Sequence, residues 1–252
     1  MHRTILAQNV SYERLVLDWL QDDAQDDLAT QKAKGKGRGW WGPPKGSHGA
    51  GSTSRGDYRS FEDWEGAVGW LESQPDITPD TTRLEFDSIA SYKGSGYNEI
   101  NVGLRKGEAR ETTKQTIRNI DSVMERTKIP ENVVAFRSIG TGSVLGERKT
   151  RDATGMVFRD KGYGSTTLDV KEASGQAYRR TSILAEIRIP KGYRGIYIEG
   201  IYNKHRVGMR EEEKIGEREL LLPRGTRYRV INDNFASLGS GKKRHIVLEV
   251  VP

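Results

Sequence analysis

The sequence predicts an α+β fold, with mixed, largely antiparallel β-sheets forming a central cleft, flanked by N-terminal helices. Three observations carry this. Between residues 60 and 127 apolar side chains recur at spacings of three and four, the helical period. After Pro130 the period changes to alternation, and short apolar runs follow one another to the C-terminus. No βαβ alternation and no internal repeat interrupts this order of helices first and strands afterwards.

The elements follow in order. In residues 11–30, Tyr12, Leu15, Val16, Trp19, Leu20, Ala24 and Leu28 form an apolar stripe, and five aspartates fill other faces. The segment 1–31 is therefore an amphipathic helix that docks on the following domain or on another chain. Residues 32–56 hold eight glycines, six bases and no acid, the composition of a basic tether. Within it Trp40-Trp41 reads either as an anchor on the domain surface or as a base-stacking pair beside phosphate-binding lysines. From 57 to 252 the pattern is that of one folded domain. "SFED" at Ser60 reads as a capping box that opens a short helix with Phe61, Trp64, Val68 and Leu71 inward. Helices are expected over 80–92, 97–105 and 110–127, broken by "KGSG" and "RKG". Strands are expected at "NVVAFRS", "GMVF", "GSTTL", "SILAEIRI", "GIYI", "ERELLL", "RYRVI" and "HIVLEVV", with one helix near 170–180.

Composition narrows the chemistry. The chain has 252 residues and no cysteine, so disulfides, thiolate nucleophiles and cysteine zinc sites are excluded. Four scattered histidines lack metal-ligand spacing, so no metal is expected. No apolar run approaches the roughly 18 residues of a spanning helix, and no membrane span is expected. The N-terminus lacks the pattern of a classical signal peptide, which points to a cytoplasmic site of action. The net charge is +6, and residues 32–56 alone carry that much; residues 1–31 sum to −4. A nucleic-acid or virion contact through 32–56 is one reading of this charge, and a solvated tether is the other.

Three pieces of the strand-rich half bear chemistry. Arg137, late in "VVAFRSIGTG", precedes glycines at 140 and 142, and a guanidinium there suits a phosphate as well as a surface ion pair. In "DKGYGSTTLD", Ser165, Thr166 and Thr167 are either hydroxyl ligands or plain strand formers. In "GERELLL", Glu217 and Glu219 stand at i and i+2, which in a strand would aim both carboxylates to one side. Like charges so placed are unfavourable unless they serve a cation or a reaction.

The order and spacing of these pieces resemble the Arg–Ser–Glu branch of the ADP-ribosyltransferase exoenzymes, a family that includes binary toxins and phage enzymes. The resemblance runs from about residue 80 to 252. It includes "IASYKGSGYNEINVGLRKG", "AFRSIGTG", "GYGSTTLD", "EIRIPKGYRGIYI" and "ERELLLPRGTRYRVI", the last with the Glu–x–Glu signature. Thr167 replaces the last serine of the family's Ser–Thr–Ser element.

The resemblance implies a mono-ADP-ribosyltransferase with NAD in the cleft between the helices and the sheets. It implies catalytic roles for Glu219, Glu217, Arg137 and Ser165. It assigns NAD binding to Asn101, Arg105, Arg137, Ser138, Gly140, Tyr163, Ser165, Thr166 and Thr167. Glu219 would stabilise the positive charge that develops on the ribose, and Ser165 would orient Glu219. A glutamate at 217 implies arginine as the acceptor on an unidentified protein, where a glutamine would imply asparagine. The loop 202–216 would recognise that protein; it has Glu211, Glu212 and Glu213 but no aromatic beside the glutamates, Tyr202 being the nearest. Two alternatives stand: an NAD glycohydrolase with water as acceptor, and a virion-associated structural protein with an attached effector domain. For a delivered phage or toxin effector the site of action would be the host cytoplasm.

Overall fold

A computed structural model describes residues 57–61, 64–140, 152–170, 173, 182–205, 218–234 and 244–251. The expected helix of 11–30, the tether 32–56 with its tryptophan pair, and most of the helix near 170–180 lie outside the described residues.

The helical half begins with α1 (Trp64–Glu72), whose Ala67, Trp70 and Leu71 are buried; Val68 is only half-buried. A 3₁₀ turn at Pro75–Ile77 follows. Helix α2 (Arg83–Ser91) opens on a capping box between Thr82 and Glu85. The expected break at "KGSG" does not occur. The chain passes through a π-helical turn, Tyr92–Gly96, straight into α3 (Tyr97–Lys106). A Cβ at residue 96 would lie 2.7 Å from the Ser91 carbonyl oxygen, so this tight passage requires glycine. Helix α4 (Glu111–Glu125) turns its isoleucines Ile117 and Ile120 inward, with Val123 and Met124.

The strands are β1 (Val133–Gly140), β2 (Val157–Asp160), β3 (Gly164–Thr167), β4 (Ser182–Ile189), β5 (Ile196–Tyr197), β6 (Glu219–Leu222), β7 (Thr226–Asp233) and β8 (His245–Val251). They form one eight-stranded sheet in the order β2-β7-β8-β4-β1-β3-β6-β5, in place of separate sheets. All pairings are antiparallel except β4 with β8. The architecture is α+β. The run expected as the strand "GIYI" is mostly something else: two residues pair as β5, and the chain then turns into helix α5 (Ile198–His205). The expected loop 202–216 therefore begins as helix.

Apolar side chains pack on both faces of the sheet. On one, Ala67, Trp70 and Leu71 of α1 belong to a core that includes Val133, Ala135, Ile187, Leu220, Leu222 and Leu248. On the other, α2, the π turn, α3, α4 and α5 bury Phe86, Tyr92, Ile100, Ile120 and Ile201 against Tyr163 and Leu221. Leu220 and Leu222 alternate with Leu221 between the two cores, which explains why β6 is buried at every position.

Candidate active site

Strands β1, β3 and β6 are consecutive in the sheet, and they carry Arg137, Ser165 and Glu219. Thr167 stands opposite Glu219, and Ser165 opposite Leu221. Residues directly opposite on antiparallel strands share a face, so Ser165, Thr167 and Glu219 look the same way, toward the helical layer. The remaining hydroxyl, Thr166, donates to the Leu220 carbonyl at 2.6 Å and cross-ties β3 to β6. Thr167 accepts the Asp169 N–H at 3.1 Å and closes the end of β3. Ser138 is half-buried on β1, and Gly140 ends that strand.

Helix α3 faces this strand layer with Asn101 and Arg105, one turn apart and both buried. Asn101 uses both ends of its amide. Its nitrogen donates to the Tyr92 hydroxyl at 3.0 Å, and its oxygen accepts the Tyr163 N–H at 2.8 Å. Arg105 grips Asp160 through two nitrogens, at 2.9 and 3.0 Å, and Arg137 reaches the same carboxylate at 3.5 Å. Burial pushes the Asp160 carboxyl up, but the Arg105 and Arg137 charges and the Arg105 hydrogen bond outweigh it and hold it below its ordinary value. Gly162 sits inside this lattice. A Cβ there would lie 2.8 Å from Asn101 Oδ1 and 3.1 Å from Arg105 Nη2. Tyr163 is fully buried, and its hydroxyl donates to Asp121 at 2.7 Å, with the Ile117 carbonyl oxygen 3.1 Å away as the alternative acceptor. That anchors the loop before β3 to α4.

Glu219 is 4% exposed. Its N–H donates to Glu199 Oε2 at 2.8 Å, and Lys93 Nζ lies 3.6 Å from its Oε2. The same Lys93 donates to Glu199 Oε1 at 2.7 Å. Just before Glu219, Arg218 has φ 51°, left-handed for a residue with a side chain, and its guanidinium donates to the buried Asp169 at 3.3 Å. Strand β6 begins only after it. The expectation that strand geometry aims the Glu217 and Glu219 carboxylates one way rests on a residue outside the described ones. Glu217 itself and residues 206–216, including Glu211 to Glu213, lie outside the described residues.

Asp160, Lys93, Glu199 and Tyr92 escaped the sequence reading. Glu199 had a findable signal: an acid in the first helical turn with Lys204 and His205 in the last is a helix signature. Lys93 stood in a glycine-rich stretch read as a break, and nothing local distinguishes Asp160 from any strand-end acid. Among the described residues no group of three or more His, Cys, Asp or Glu side chains could hold a metal ion. No described helix is long and apolar enough to cross a membrane.

Comparison with known proteins agrees with this architecture. The chain is 26% identical over 229 residues to the epidermal cell differentiation inhibitor of Staphylococcus aureus, covering 77% of this chain and 84% of that protein. Its fold matches the crystal structure of C3stau2 from S. aureus with NAD, at a TM-score of 0.60 and 22% identity, over 77% of this chain and 99% of that one. It matches the C3 exoenzyme of Clostridium limosum at a TM-score of 0.59 and 20% identity, over 77% and 98%. The sequence model described as ADP-ribosyltransferase exoenzyme matches residues 61–251. With that match over most of its length, the chain belongs to the ADP-ribosyltransferase exoenzyme family, NAD-dependent transferases.

Proposed function

We propose that this transferase moves ADP-ribose from NAD to an arginine side chain of a target protein. The observation that supports the reading is the placement of Arg137, Ser165 and the buried Glu219 on three adjacent strands, with Arg137 meeting Arg105 of α3 on the Asp160 carboxylate. Arg137 and Arg105 supply cationic groups suited to the NAD pyrophosphate. Breaking the nicotinamide–ribose bond builds positive charge on the ribose, as in glycoside cleavage. A carboxylate fixed in a site with little water stabilises such charge more than it would in bulk solvent, and that is the role of Glu219. The bond to nicotinamide breaks, a bond from the ribose carbon to a guanidino nitrogen forms, and the guanidinium loses one proton. Glu217 is a carboxylate two residues upstream in sequence, and a carboxylate can fork onto a planar guanidinium where a neutral amide cannot offer two anionic oxygens.

The test is nicotinamide release with and without agmatine, a simple guanidine. Glu219→Gln keeps size but removes the charge, and both hydrolysis and transfer should fall by about 100- to 1000-fold. Glu217→Gln should keep slow hydrolysis of NAD and lose the agmatine-dependent rate. Parental labelling of agmatine by Glu217→Gln would refute the acceptor assignment, and full activity of Glu219→Gln would move the catalytic carboxylate elsewhere.

A further inference from the structure

We propose that Lys93 and Glu199 form a strut that positions Glu219 and keeps its carboxylate ionised, an inference that rests on the catalytic reading of Glu219 above. The geometry is specific. One carboxylate, Glu199, uses one oxygen on the Lys93 ammonium at 2.7 Å and the other on the backbone N–H of Glu219 at 2.8 Å. The ammonium also stands 3.6 Å from the Glu219 carboxylate. The side chains of Glu199 and Glu219 are each only 6% exposed, whereas Lys93 is 22% exposed. Two carboxylates buried this close repel, and without a cation between them one takes up a proton. Lys93 supplies that cation. Because its shorter contact is to Glu199, its charge is balanced first there, and Glu219 keeps its own negative charge for the ribose.

The backbone is built to deliver this lysine. Lys93 lies in the π turn, a widened turn that in proteins tends to mark functional sites, and the turn depends on Gly96. Glu199 sits in the first turn of α5, where a carboxylate is also favoured by the helix dipole. Among the described residues, the charged and titratable groups around Glu219 include Lys93 and Tyr92 from the π turn, Glu199 from α5, Arg137 from β1, Arg105 from α3 and the adjoining Arg218. The Tyr92 hydroxyl registers this field: burial raises it, the Glu219 charge raises it further, and Arg137 and Arg105 pull it back.

The experiment compares four variants of the full chain: Lys93→Met, Lys93→Arg, Glu199→Gln and the double Lys93→Met/Glu199→Gln. Nicotinamide release is followed against pH, and the Glu219 side-chain carboxyl is titrated by ¹³C NMR, assigned through Glu219→Gln. Lys93→Met should move the acid limb of the rate profile, and the NMR titration, upward by about 1 pH unit. Lys93→Arg should keep the parental limb. Glu199→Gln should move the limb down, because the like charge goes while the ammonium stays. The double variant should return toward the parent, since it loses cation and like charge together. An unmoved titration in Lys93→Met overturns the proposal, as does a double variant no closer to the parent than Lys93→Met. If Lys93→Met does not fold, an unmoved or raised Glu219 titration in Glu199→Gln overturns it instead. A parent chain that releases no nicotinamide at any pH would refute the transferase reading, and the NMR titration would still decide the strut.

Discussion

Asp160 is the residue on which two cationic side chains of the site depend. Arg105 and Arg137 come from a helix and a strand, and both point at its carboxylate. The Arg105 side chain is 9% exposed and that of Asp160 14%, so this is a buried ion pair whose desolvation has already been met by mutual attraction. Asp160→Asn would leave Arg105 charged without its full partner. A loss of about 3 kcal/mol is expected in urea unfolding at neutral pH, together with a raised KM for NAD as Arg137 loses its orientation. An Asn variant as stable as the parent would show that other groups hold Arg105. Such pairs also explain what could be read in advance at this scale. Arg137, Ser165 and Glu219 were singled out in advance because their stretches, in order and spacing, together resemble the motifs of one family. Asp160 and Lys93 were not, because their meaning comes from partners 55 and 106 residues away in the chain. No local pattern encodes such a contact.

At the scale of elements, α2 and α4 are clamped at one end by Glu85. That carboxylate accepts the Thr82 N–H of its own capping box, the Ser122 hydroxyl and two nitrogens of Arg126. The Arg126 hydrogen bond, against the opposing effect of burial, lowers the Glu85 carboxyl to about 2. A carboxyl held below its unfolded value stabilises the fold above the unfolded value, and that contribution drains away as pH falls toward the folded one. The helical layer should therefore lose stability between about pH 5 and pH 2. Arg126→Met should cost about 1 kcal/mol at pH 7, a figure kept small because Arg126 is 41% exposed and screened by water. At pH 2 the variant and the parent should converge. Circular dichroism of urea unfolding at the two pH values checks this, and a cost that does not shrink in acid would sink it. Periodicity identified α2, α3 and α4 but failed at α5, where Ile196, Tyr197 and Ile198 mimic strand alternation before the helix starts. It failed again at "KGSG", where glycines that look like a break instead permit the π turn.

For the whole molecule, the two larger apolar cores among the described residues are assembled from residues 67 to 250, and the family match begins at residue 61. A chain that starts at residue 57 should therefore fold and still release nicotinamide from NAD. It should bind nucleic acid less than the full chain, because the six bases of 32–56 are gone. Thermal melting and a filter-binding titration measure both points; an aggregated, inactive product would mean that the first 56 residues belong to the core. The α+β class was legible because the change of period at Pro130 divides the two halves of the fold. Strand order was not, since pairing of distant strands is decided by tertiary packing.

That order has a consequence for how the protein comes into being. Strand β8, the last element along the chain, lies in the middle of the sheet, antiparallel to β7 on one side and parallel to β4 on the other. Within the sheet it links the pair β2 and β7 to β4, and through β4 to β1, β3 and β6. During synthesis the order of the sheet thus stays incomplete until residues 245–251 have left the ribosome. A growing chain that stalls short of that point holds Arg137, Ser165 and Glu219 but lacks the strand on which β7 and β4 both pair.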